Sequence, residues 1–120
     1  YGCGGVAAAM SNTSFGFLDN WLVSIKNVYL KNQAELEAIT SQEERTDRLV
    51  ELNAIQQAMN MAKISFIQEE WNEGNPLEIH ALVYSLKDGL VRNLQISISS
   101  RTDMDQIYTN SVSALKKRYS

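Results

Sequence analysis

Apolar positions in this chain recur at helical spacing through its first half and alternate through part of its second. From Phe17 onward, Leu18, Trp21, Leu22, Ile25, Val28 and Tyr29 fall on one face, which predicts a helix to about Leu30 with Lys26 and Lys31 on the polar side. A second piece follows through Ala34–Ile39. Ser41-Gln42-Glu43-Glu44 has the form of a capping box, Ser at the cap and Glu three residues on, so a long helix should follow. Leu49, Leu52, Ile55, Met59 and Ala62 give that helix its apolar stripe, and Glu44, Arg45, Arg48 and Glu51 lie largely off it. A break is expected near Ile64-Ser65. A shorter helical turn should end at Trp71, where Asn72-Glu73-Gly74-Asn75-Pro76 is a strong stop signal.

The period then changes to two. Leu77, Ile79, Ala81 and Val83 alternate with Glu78, His80, Leu82 and Tyr84, and Lys87-Asp88-Gly89 reads as a short hairpin turn before a return strand from Leu90 to Ser99. The adjacent Leu82 and Val83 break the alternation and predict a strand buried on both faces. Asp103-x-x-Gln106 is expected to cap a last helix carrying Ile107, Tyr108, Val112 and Leu115. At the other end, Val6-Ala7-Ala8-Ala9-Met10 reads as a short helix closed by a turn at Asn12-Thr13-Ser14. The order is helix, helix, helix, hairpin, helix. Two strands and a helical layer fall short of a self-sufficient sheet, which implies further strands upstream.

Composition adds bounds. The chain has 120 residues, 44% hydrophobic and 21% charged, as expected of one globular domain or part of one. Its net charge of −3 argues against non-specific nucleic-acid binding. The one basic cluster, Lys116-Lys117-Arg118, reads as a solvated helix end favoured by the helix dipole. No apolar run approaches the ~20 residues of a membrane span, and the start lacks the basic and apolar regions of a signal peptide. A single cysteine forms no internal disulfide, which fits a reducing compartment and a cytoplasmic location.

The candidate chemistry lies in Tyr1-Gly2-Cys3-Gly4-Gly5. The lone cysteine stands between glycines at the mouth of the first helix, where a positive field favours thiolate as nucleophile or metal ligand. The plain alternative is a small buried hydrophobe. The first residue is Tyr and not Met, so the chain is expected to be the back part of a larger protein, divided through its reactive site. His80, the only histidine, reads as a structural histidine on a strand. Gly2-x-Gly4-Gly5 lacks the full spacing of a dinucleotide loop. Trp21, Tyr29 and the Met59–Met61 region read as core or subunit contacts, and Glu69-Glu70 as a solvated face.

Five pieces in order carry a resemblance: Tyr1-Gly2-Cys3-Gly4-Gly5, Asp19-Asn20-Trp21-Leu22, Arg48-Leu49-Val50-Glu51-Leu52-Asn53, Gln68-Glu69-Glu70-Trp71, and Leu86-Lys87-Asp88-Gly89-Leu90-Val91-Arg92-Asn93-Leu94. With them the chain resembles the beta-class carbonic anhydrases from Tyr1 to about Tyr119. The resemblance implies an α/β fold, a mostly parallel sheet flanked by helices. Residues 1–120 would then be the C-terminal portion of a single domain, mainly helical with a C-terminal β-hairpin. It implies a Zn²⁺ enzyme that interconverts carbon dioxide and bicarbonate and assembles as a homodimer or homotetramer. Family members bind zinc through two cysteines and one histidine. Cys3 matches the second cysteine, of a His-x-x-Cys motif followed by Gly-Gly. The matching histidine would stand one place before Tyr1, and the first cysteine, with its Asp-Arg pair, further upstream. Gly4 and Gly5 would let the backbone pass close to the metal and aim amide N–H groups at sulfur. Tyr84 aligns with a tyrosine of a bicarbonate-regulatory pocket found in some bacterial members, although the usual His-Gly-Trp-x-Tyr reads His80-Ala81-Leu82-Val83-Tyr84 here; the alternative for Tyr84 is plain core packing. By itself the 120-residue chain is not expected to be a competent catalyst. The second functional reading is a degenerate, non-catalytic relative acting as a binding or scaffold module.

Overall fold

The computed structural model describes residues 1–100 and 104–119, with side chains in the last helix described as far as 114. Along the chain come α1 (Gly4–Met10), α2 (Leu18–Lys31), α3 (Gln33–Glu37), α4 (Gln42–Ala62), α5 (Ser65–Asn72), β1 (Ile79–Tyr84), β2 (Val91–Ile98) and α6 (Met104–Tyr119). Asp103, expected as the last cap, lies outside the described residues, as do the side chains of Leu115 and of Lys116-Lys117-Arg118. Among the described residues no helix is long and apolar enough to cross a membrane.

The central element is α4. Ser41 Oγ accepts the Glu44 N–H at 3.3 Å, the cap expected from the sequence. Leu49, Leu52, Ile55, Met59 and Ala62 are all buried. The two ends of α4 serve two cores. Its first half packs Leu49 and Leu52 with Val6 and Ala9 of α1, Leu22, Ile25 and Val28 of α2, and Leu36 of α3. Its second half packs Ile55, Ala58, Met59 and Ala62 with Ile67 of α5 and the inner face of the hairpin. Trp71 Nε1–H donates to the Leu77 carbonyl at 2.9 Å and closes the turn out of α5.

Three expectations need correction. First, Arg48 and Glu51 are fully buried, not off the packed face. Arg48 Nε and Nη2 donate to Glu35 Oε1 at 3.0 and 2.5 Å, and Nη2 also donates to the Val112 carbonyl at 3.0 Å. A charge can be buried when a distant partner compensates it, and hydrophobic periodicity does not register such partners. Second, the apolar stripe of α2 is buried only at Leu22, Ile25 and Val28; Leu18 and Trp21 of its first turn are exposed. Third, β1 buries one face: Ile79, Ala81 and Val83 point inward, while His80, Leu82 and Tyr84 are exposed. Among the described elements only α4 and β2 touch β1, so its outer face has no cover.

The hairpin is antiparallel, with Ile79 opposite Ile98 and Tyr84 opposite Val91; the register shifts between His80 and Leu82. On the facing strand Gln95 takes φ 63°, and its N–H donates to Asn93 Oδ1 at 2.8 Å, a local Asx-type bond. The connecting turn is fastened by Asp88. Its Oδ1 accepts the Leu90 N–H at 3.0 Å, and Arg92 Nη2 donates to Oδ2 at 2.5 Å. The Arg92 hydrogen bond, helped by the Leu90 amide, pulls the Asp88 carboxyl down to about 2 from an ordinary 3.8. A carboxyl depressed in the folded state stabilises above its unfolded pKa, and that contribution is lost as pH falls through the folded value. Asp88→Asn should therefore lower the denaturation midpoint at neutral pH, with the gap to the parent closing between pH 3.8 and about 2. A gap that stayed constant across that range would show that the Asp88 charge contributes nothing.

Candidate functional site

The site begins with Tyr1, which is fixed from two sides. Its terminal ammonium donates to the Tyr84 carbonyl at 2.6 Å, and the Leu86 N–H donates to the Tyr1 carbonyl at 3.0 Å. Bonds to the residues on either side of Ser85 form the slanted pattern of a parallel bridge. Tyr1 Oη–H donates to the buried Glu51 Oε1 at 2.5 Å. The Arg92 guanidinium stands 5.5 Å from the centroid of its ring. Backbone bonds thus tie Tyr1 to the end of β1, and its side chain ties it to α4.

Gly2 then turns the chain into α1. Its φ is +85°, and a Cβ there would lie 3.4 Å from Leu86 Cβ, so both conformation and space favour glycine. Cys3 follows in extended conformation as the N-cap of α1, its carbonyl accepting the Ala7 N–H at 3.3 Å. Its side chain makes no capping hydrogen bond. Cys3 is exposed, which overturns the plain reading of a buried hydrophobe. Gly4 has open space where a Cβ would stand, whereas at Gly5 a Cβ would lie 3.1 Å from Trp21 Cζ3 and 3.7 Å from Cys3 Sγ.

Beside Tyr1 opens a cleft of about 250 Å³ flanked by Asp47, Glu51, Lys87, Asp88 and Arg92. Lys87 pairs with Glu43 of α4. Burial raises the Asp47 carboxyl above its ordinary range, against the pull of nearby positive charge including Arg92.

Cys3, Gly4 and Gly5 are contiguous, and the Tyr1 bridge holds their turn against the end of β1. Tyr84 is 55% exposed on the outer face of β1, and its hydroxyl lies by Gly89. His80 stands on the outer face of β1 with Nε2 3.2 Å from Glu78 Oε2, a partnered histidine as expected, though half-exposed. Among the described residues no group of three His, Cys, Asp or Glu side chains could hold a metal ion. Glu51 is the site residue that sequence reasoning missed. Its one signal is its place between Leu49, Val50 and Leu52, three positions from Arg48.

Residues 1–91 match a family model described as carbonic anhydrase. A protein of Emericella nidulans described as a carbonic anhydrase is 39% identical over 109 residues, which is 90% of this chain and 48% of its own. Three solved structures are also similar. The Coccomyxa beta-carbonic anhydrase in complex with acetazolamide superposes with TM-score 0.78 at 29% identity, over 92% of this chain and 54% of its own. A beta-carbonic anhydrase of the fungal pathogen Aspergillus fumigatus gives 0.74 at 29%, over 95% and 51%. One from the ascomycete Sordaria macrospora, described as tetrameric, gives 0.73 at 31%, over 82% and 50%. The chain spans about half the length of the relatives it matches.

Proposed function

This chain belongs to the beta-class carbonic anhydrases, and on that premise we propose that the complete protein carries out the zinc-dependent, reversible hydration of carbon dioxide to bicarbonate and a proton. Residues 1–120 are the C-terminal portion of its single catalytic domain. The observation that supports this reading is the exposed Cys3 thiol at the start of α1, in a turn bonded to the end of β1 and within the span matched to the family.

The residues present fit zinc as one corner of its ligand set. Cys3 offers an accessible sulfur, and the neighbouring Gly4 has open space where a side chain would stand. Catalytic zinc takes three protein ligands and an open position. Two further donors would come from outside the described residues, in keeping with a chain about half as long as its relatives. Zinc, when bound, supplies a Lewis acid that makes hydroxide available from water near neutral pH. Cys3 would hold the metal through its sulfur, Gly4 and Gly5 would let the backbone pass close to it, and the Tyr1 bridge with the Tyr1–Glu51 bond would fix the turn. The exposed Phe15, Phe17 and Leu18 suit a subunit contact in a homodimer or homotetramer. The reading places the protein in the cytoplasm.

Stopped-flow CO₂ hydration and metal analysis of the complete protein test this. Bound zinc and a hydration rate that a chelator removes and added zinc restores are expected. A folded, zinc-free and inactive protein would point instead to a non-catalytic binding or scaffold module. The 120 residues alone should hydrate CO₂ no faster than buffer.

Tyr84 is proposed as a bicarbonate-regulatory contact, because its half-exposed phenol can donate to an anion. Tyr84→Phe in the complete protein should raise the bicarbonate concentration needed for inhibition. An unmoved inhibition curve would remove Tyr84 from that role.

A further inference from the structure

We propose that Trp21 is a positioning residue for Cys3: the far edge of its indole braces the first turn of α1, and Gly5 is glycine because that edge and the cysteine sulfur share the space a side chain would take. The inference rests on the reading of Cys3 as a zinc ligand. Backbone conformation does not explain Gly5, since its φ lies outside the left-handed region. Alanine would also be the better helix former there. The constraint is spatial. A Cβ on Gly5 would stand 3.1 Å from Trp21 Cζ3, 3.5 Å from Trp21 Cη2 and 3.7 Å from Cys3 Sγ. Ring edge, backbone and sulfur therefore meet at one point.

Core packing does not explain Trp21 either. It is 66% exposed, and α2 is anchored in the core by Leu22, Ile25 and Val28. The turn that leads into α2 is fixed independently: Asp19 accepts from Ser14 Oγ at 2.8 Å and from the Phe15 N–H at 2.9 Å. The indole thus projects from a fixed helix start. It meets a seven-residue helix whose N-cap makes no side-chain hydrogen bond of its own. The ring limits how far the Cys3 turn can shift.

A contact matched in size on both sides predicts compensation. In the complete protein, Gly5→Ala should weaken zinc about 10- to 100-fold, the usual cost of disturbing a group that orients a metal ligand. Trp21→Phe, which removes the far edge of the indole, should weaken it less. The double variant should bind zinc at least about tenfold more tightly than Gly5→Ala alone. After cobalt replaces zinc, the thiolate-to-cobalt absorption band should shift in Gly5→Ala and return in the double variant. Cys3→Ser is the reference. If Cys3→Ser loses zinc and the two other losses simply add, or if Gly5→Ala leaves affinity and band unmoved, the positioning role is wrong and the ligand reading stands. If Cys3→Ser keeps zinc, both are wrong.

Discussion

In the complete protein, Cys3→Ser should strip bound zinc and remove most CO₂ hydration. A serine hydroxyl stays protonated near neutral pH and is a hard, weak donor, so a three-ligand catalytic site is reduced to two effective ligands. Disturbing a group that merely orients a ligand costs about 10- to 100-fold in metal affinity, so loss of a ligand itself should exceed about 100-fold. The fold should survive, which makes the experiment clean. Cys3 is exposed and its side chain makes no capping bond, and serine is a better N-cap than cysteine. The signature is therefore zinc-free protein that still unfolds cooperatively, with a melting temperature matching that of the parent stripped of zinc. Retained zinc with near-normal turnover would overturn the assignment of Cys3.

Arg48→Ala should cost the fold about 3–5 kcal/mol, the range for removing one member of a buried ion pair. The guanidinium is completely buried and bonds Glu35 of α3 and the Val112 carbonyl of α6 from its place on α4. Alanine leaves a cavity and takes a donor from that carbonyl, and Glu35, only partly exposed, is left to find water in a confined place. Arg48→Met keeps most of the volume and should recover part of the loss. Urea midpoints of the three proteins check both statements. A loss below about 1 kcal/mol in Arg48→Ala would place the pair among those with no net effect on stability.

What was legible in the sequence was mainly local. The Ser41 cap, the break at Ile64-Ser65, the stop after Trp71 and the Lys87-Asp88-Gly89 turn depend on residues a few positions apart, and each lies where the pattern puts it. Arg48 and Glu51 were misplaced because their partners stand 13, 64 and 50 positions away, and helical period alone carries no record of such pairs. The one-sided burial of β1 was missed for a related reason. The adjacency of Leu82 and Val83 registers apolar character but not which neighbours are present to cover it. Gln95 takes its positive φ where the two strands run out of step, a consequence of pairing rather than of propensity. At the site, the sequence placed Cys3 at a helix start, where it stands. The contact of Trp21 with Gly5 was not visible, because it joins two helices through the absence of a side chain.

The bridge between Tyr1 and the segment around Ser85 also sets an order of events during synthesis. The two bonding partners are separated by 83 positions. At about 5–20 residues per second, the ribosome needs roughly 4–17 s to make the intervening chain. Throughout that interval the Cys3 turn has no strand end to lie against, and its thiol is open to oxidants and stray metals in the growing chain. The proposed ligand geometry is complete only once the segment around Ser85 has been made and has bonded to Tyr1.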